Sequence, residues 1–205
     1  SPLTIDGGTM VQGNVAGAEG GGIYIGPSYR AAITNATIKK NKTGANGGGI
    51  YVDGSDAGNL SMENYVFVKD NELETGSEEG DKPNNLYFGS PENFIAVTGP
   101  FGRSANVVVT LDPTTLYRTV TMGYAENAKI TDASGNEVEA RDPSGIFHGD
   151  GDHVALLRDD EVKVVTRVHY MDLLGDTSTV IDYEQVTSAF TGNKGTDEWG
   201  DWFVV

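Results

Sequence analysis

Apolar and polar residues alternate in short runs that recur at a fixed distance along the first half of the chain. Ile23-Tyr24-Ile25 follows Gly20-Gly21-Gly22, and 27 residues later Ile50-Tyr51-Val52 follows Gly47-Gly48-Gly49. The same offset sets Asn14 on Asn41 and Val11 on Ile38, while Ile5 meets Ile33 with one residue of slack. A third, degraded copy reads Asn84-Asn85-Leu86-Tyr87-Phe88, preceded by Tyr65-Val66-Phe67-Val68-Lys69-Asp70-Asn71 and interrupted by an acidic insert from Glu72 to Pro83. A period of two within each run is the mark of a strand, and a longer period between runs is the mark of stacked repeats. Such strands cannot bury an apolar face alone and must lie on a neighbouring copy.

Several placements follow from that stacking. Alternation puts both aliphatic residues of each Ile-Tyr-aliphatic run on one face and the tyrosine on the other. Tyr24, Tyr51 and Tyr87 therefore form a predicted aromatic ladder on the outside, a candidate platform for sugar rings or protein partners. The triple glycine suits a corner that needs positive φ or close backbone approach between copies. Asn14 and Asn41, in register at a turn, predict a ladder of side-chain amides.

With Ile33-Thr-Asn-Ala-Thr-Ile38 and Asn41-Lys-Thr-Gly-Ala-Asn-Gly-Gly-Gly-Ile-Tyr-Val52, residues 1–98 resemble the right-handed parallel β-helix repeats of large bacterial surface proteins. Adhesin-like proteins of gut Firmicutes and the polymorphic outer-membrane proteins of chlamydiae carry such repeats. The resemblance implies an all-β chain that opens as a short right-handed parallel β-helix, a solenoid, and continues as a β-rich cap or small β domain. It also implies an extracellular place on a bacterial cell surface and a non-catalytic adhesive role, with a host protein or a glycan as partner. Polysaccharide lyases and glycosidases are built on similar repeats, and so are pure spacers.

Beyond Ile95-Ala-Val-Thr-Gly-Pro100 the repeat box disappears. Strand-like runs at Asn106–Leu111, Tyr117–Tyr124, Ala128–Thr131, His153–Leu157 and Glu161–Tyr170 alternate with turn signals such as Asp112-Pro113 and Asp142-Pro143-Ser144-Gly145. Residues 99–163 are read as terminal coils or a β-rich cap, and 164–205 as a β-rich C-terminal segment or the start of a following module. The chain begins at Ser1-Pro2-Leu3 with no initiator methionine, as expected of a processed product or a piece of a longer protein.

Charge and composition narrow the chemistry. With 30 Asp and Glu against 14 Lys and Arg, the net charge is −16, which repels phosphate backbones and anionic bilayers. Nucleic acid and membrane insertion are thus not expected. No cysteine is present, so disulfides, thiolate metal sites and cysteine nucleophiles are excluded. The three histidines and the serines assemble no Gly-x-Ser-x-Gly or triad pattern. No Asp or Glu recurs in phase between the two clear repeats, and Lys39, Lys40 and Lys42 have no acidic cluster in register, so no enzyme is expected. The densest polar run is His148-Gly149-Asp150-Gly151-Asp152-His153. There Asp150 and Asp152 are candidate Ca²⁺ ligands, with a hairpin turn as the competing reading. Glu161 falls twelfth from Asp150, but the intervening Val154-Ala-Leu-Leu157 reads as strand rather than as a calcium loop.

Overall fold

The computed structural model describes residues 3–54, 58–78, 80–112, 115, 117–131, 134–151, 153–166, 194–197 and 200–203. Two compact units are present, Ser1–Val165 and Thr166–Val205. The molecule is 52% strand and 5% helix, so the all-β expectation holds.

Four short strands make the first pass of the chain: β1 (Leu3–Ile5), β2 (Thr9–Gln12), β3 (Val15–Ala16) and β4 (Ile23–Ile25). The second pass has β5 (Ala31–Lys39), β6 (Lys42–Thr43) and β7 (Ile50–Val52). The third has β8 (Leu60–Val68), β9 (Glu72–Leu73), β10 (Lys82–Pro83) and β11 (Leu86–Phe88). Pairing between passes is parallel and in the register the repeats predict: Ile23 on Ile50, Tyr24 on Tyr51, Val11 on Ile38, Ile5 on Ile33 and Tyr51 on Tyr87. β12 (Ile95–Phe101) and β13 (Asn106–Val109) continue the stacking, both pairing parallel with β8. All of these strands except β3, β6, β9 and β10 belong to one large parallel sheet curled into a half-barrel, while those four form a separate sheet in which β9 and β10 run antiparallel.

Inside the curl lie the aliphatic residues that alternate along each strand. Ile33, Ile38, Ile50, Val52, Leu60, Met62, Val66, Val68 and Leu86 are all essentially inaccessible. Each such side chain removed from water contributes about 1.5–3 kcal/mol. Corners are set by residues in the left-handed region. Gly13, Lys40 and Asp70 stack as one column with φ of 70°, 54° and 59°, joined by hydrogen bonds from Gly13 N to Lys40 O and from Lys40 N to Asp70 O. The non-glycine members are tolerated because the stacked backbone bonds hold them there.

After β13 the chain makes β14 (Tyr117–Thr119), β15 (Thr121–Met122), the single-turn helix α1 (Tyr124–Asn127), β16 (Lys129–Thr131), β17 (Glu137–Ala140), β18 (Phe147–Gly149), β19 (His153–Arg158) and β20 (Glu161–Thr166). β18 adds one more parallel strand to β13, whereas β14, β20 and β19 form an antiparallel sheet and β16 and β17 a hairpin. Phe101, Tyr124 and Phe147 pack there with ring centroids 5.3–6.4 Å apart. Glu161 accepts from Thr121 Oγ1 at 2.8 Å and from the backbone N–H groups of Gly123 and Tyr124, so it anchors the start of α1 and is no partner of Asp150. The second unit holds the antiparallel hairpin β21 (Lys194–Asp197) and β22 (Gly200–Phe203).

The triple glycine does two jobs. Gly20 and Gly47 take φ of 74° and 70°. Gly21 and Gly48 need the absence of Cβ: one added at Gly21 would lie 2.3 Å from Lys42 O and 2.4 Å from Gly48 O. Gly21→Ala is expected to lower stability by about 1–3 kcal/mol or more, as overpacking against backbone does. Gly17, with open space around it and no positive φ, serves as the control and should tolerate alanine. Urea denaturation of the two variants checks this.

Candidate functional site

The aromatic ladder forms as the register predicts. Tyr24 and Tyr51 stack at 5.7 Å between centroids and Tyr51 and Tyr87 at 5.8 Å, with planes within 6° of parallel. Stacking has a cost for recognition, because each ring covers its neighbour's face. The ladder presents edges and hydroxyls to solvent, and only its two end members, Tyr24 and Tyr87, have a face on which no other ring is stacked among the described residues, Tyr24 being the more exposed at 51%. The Tyr24 hydroxyl donates to Asp53 Oδ2 at 2.5 Å, and this bond to a carboxylate pushes its pKa up to about 12. Burial raises Tyr51 and Tyr87 as well.

A second column, of side-chain amides, runs at the corner just after Gly13, Lys40 and Asp70. Asn14 donates its backbone N–H and its Nδ2 to Asn41 Oδ1, at 3.1 and 2.9 Å. Asn41 does the same to Asn71 Oδ1 at 3.1 and 2.9 Å, and Asn71 to Asn85 Oδ1 at 3.0 and 3.1 Å. Asn41, Asn71 and Asn85 are buried, so these amides must find partners within the protein. The amide-to-amide bonds therefore have a direction, each donating toward the later asparagine, while Nδ2 of Asn41 and of Asn71 also donates back to Val11 O and Ile38 O of the earlier pass.

Asp150 ends it. Asn85 Nδ2 donates to Asp150 Oδ1 at 2.9 Å, and the Thr110 hydroxyl donates to Asp150 Oδ2 while accepting from Asn85 N at 2.7 Å. An acceptor-only carboxylate fits a terminal position, where no following amide is there to receive a donor. Both oxygens of this candidate Ca²⁺ ligand are thus engaged by the fold. Its companion Asp152 lies outside the described residues, among which no group of three His, Cys, Asp or Glu is arranged to hold a metal. The chain turns at Asp150-Gly151, with Gly151 at φ 67°, between β18 and β19. Burial raises the Asp150 pKa despite its hydrogen bonds from Thr110 and Asn85.

Beside the end of this column opens a cleft of about 520 Å³. Its walls are Lys69, Asp70 and Glu72 from the third pass, Asp81 and Pro83 from the insert, Asn106 and Val108 from β13, and His148 to Gly151. Asn106 Oδ1 is buried with no hydrogen-bond partner. The His148 ring is held below its ordinary pKa by burial and by the nearby Lys69 charge, which favours its neutral form. The insert corrects one expectation: Lys42 does have acidic partners in register. Lys42 pairs with Glu72 across β6 and β9, its ammonium lies 3.0 Å from Glu72, and it also bonds Asp81. An offset of 27 misses the pair because residues are added between β7 and β8 and at the bulge within β8, before Glu72 is reached. These charges remain largely solvent-exposed, so the pairs orient the insert more than they stabilise it.

Asp150 also predicts a pH dependence. A carboxylate with a raised native pKa contributes stability that is present below the ordinary aspartate range and is lost as pH rises through the native value. Asp150→Asn should flatten that slope while still accepting from Asn85. Asp150→Ala, which leaves Asn85 Nδ2 and the Thr110 hydroxyl without their acceptor, should cost about 1–3 kcal/mol at neutral pH. Denaturant midpoints measured from pH 3 to pH 8 on the parent and both variants check the sign and the order.

In comparisons with known proteins, no family model, no curated protein and no solved structure matches this chain.

Proposed function

We propose that this chain is a right-handed parallel β-helix segment of an extracellular bacterial surface protein that binds a glycan without performing chemistry on it. Three features support the helical reading: parallel pairing between successive passes, an unbroken amide column through them, and left-handed corners stacked in register. The acidic surface and the absence of cysteine suit a cell-surface location.

The observation that carries the binding reading is the cleft. It opens where the repeat is broken by the insert and by the return of the chain at His148, so regular stacking does not fill it. Its polar groups match a polyhydroxylated ligand. The carboxylates of Asp70 and Glu72 and the unpartnered Asn106 Oδ1 accept from sugar hydroxyls, and Lys69 and the neutral His148 ring supply donors. The cleft surface is apolar as well as polar, with Pro83 and Val108 among its walls, so the polar groups orient a ligand whose ring faces lie on apolar surface.

A glycan array probed with the whole chain tests this reading, followed by titration of any hit against Asn106→Ala and His148→Ala. Each variant should weaken binding about tenfold, as expected when one ligand hydrogen bond worth about 1–1.5 kcal/mol is lost, with circular dichroism unchanged. Binding that survives both changes but is lost in Tyr24→Ala moves the site to the aromatic ladder. Capture of a host protein in place of any glycan identifies the other adhesive partner. Cleavage products from a polysaccharide panel replace the reading with an enzymatic one, and silence in every screen leaves a spacer.

A further inference from the structure

All four strands of the first pass are edges. Among the described residues β1 and β2 pair only with β5, β3 only with β6 and β4 only with β7. Leu3, Met10, Val15, Tyr24 and Tyr29 are 51–70% exposed along or beside this edge, half of the ten large hydrophobic residues exposed among the described residues. Residues 1–29 carry only Asp6 and Glu19 as charged side chains. Open edges are usually blunted by lysines, bulges or a covering segment, and this one has no lysine.

The amide column states what would cover it. Oδ1 of Asn41, of Asn71 and of Asn85 each accepts one backbone N–H and one side-chain N–H from the preceding asparagine of the column. Asn14 Oδ1 has no such donors, and it is the exposed acceptor end of a column whose other end is closed by Asp150. Tyr24 likewise presents one open end of the ring stack.

We infer that the first-pass edge is a docking surface for a further polypeptide pass of this same repeat type. Its asparagine donates N–H and Nδ2 to Asn14 Oδ1, and its aromatic residue lies on Tyr24. A single extended strand would cover one of the four edges and leave three open, so the occupant must curl as the second pass does. A second copy of the chain does not satisfy the column. Edge to edge it sets Asn14 Oδ1 against Asn14 Oδ1, and end to end it offers the Asp150 carboxylate, also an acceptor. The inference stands apart from the cleft and from any glycan bound there.

The test mixes the whole chain with a synthetic peptide copying residues 28–54, which contains Asn41 and the second Gly-Gly-Gly-Ile-Tyr box. Saturable binding is expected, with amide exchange slowed in β1 to β4 and at least tenfold weaker binding when the peptide carries Asn41→Asp. A companion protein duplicates residues 3–30 in frame ahead of Leu3. Its denaturation midpoint should rise, and the amides of the original β1 to β4 should gain protection. Unslowed exchange at these strands in both experiments overturns the inference. Indifference to Asn41→Asp also overturns it, as does self-association of the chain that protects the same amides.

Discussion

A buried carboxamide must have both its donors and its acceptor satisfied, and in this protein four asparagines from three successive passes meet that demand with one another. Asn14, Asn41, Asn71 and Asn85 donate amide to amide in a single direction, and each also ties its backbone N–H into the same chain of bonds except Asn85, whose N–H goes to Thr110. An unsatisfied member would cost about 1–3 kcal/mol, comparable with burying one aliphatic side chain, so the column and the core specify the same stacking. Register is consequently fixed twice. A slip of one residue would turn the Ile and Val side chains outward and would also set amides against the wrong partners.

The column explains features that look unrelated in the linear chain. Left-handed conformation at Gly13, Lys40 and Asp70 turns the backbone so that the next residue, each time an asparagine, points into the column. Close approach of passes at the adjoining corner leaves room only for glycine at Gly21, Gly22, Gly48 and Gly49. In the third pass Asn84 takes over from glycine, and its Oδ1 accepts from Gly47 N and Gly48 N. Asp150 terminates the series because a last amide would need a further acceptor.

The proposed binding cleft lies where periodicity fails. The regular passes bury an apolar interior, and the departures from them leave surface features with distinct chemistry. The longer third pass brings Glu72 and Asp81 to Lys42, and the return of the chain through β18 sets His148 and Asp150 across from Lys69. The cleft between them mixes charged and apolar surface because neither side belongs to the repeating apolar face.

The sequence by itself determined what repeats. An offset of 27 residues placed Tyr24 on Tyr51, Val11 on Ile38 and Asn14 on Asn41, and alternation decided that the aliphatic residues face inward. These are legible because in stacked strands a contact between passes is a fixed step in sequence. Tertiary structure alone decided the rest. The bonds from Asn85 and Thr110 to Asp150 span 65 and 40 residues, and Glu161 reaches the start of α1 across a similar distance. No period connects those residues, so the place of Asp150 at the end of an amide column could not be read from the acidic run around it. The covering of the inner tyrosine faces by the next ring was likewise fixed only by the spacing of folded passes, which left ring faces uncovered only at the two ends of the stack, Tyr24 and Tyr87.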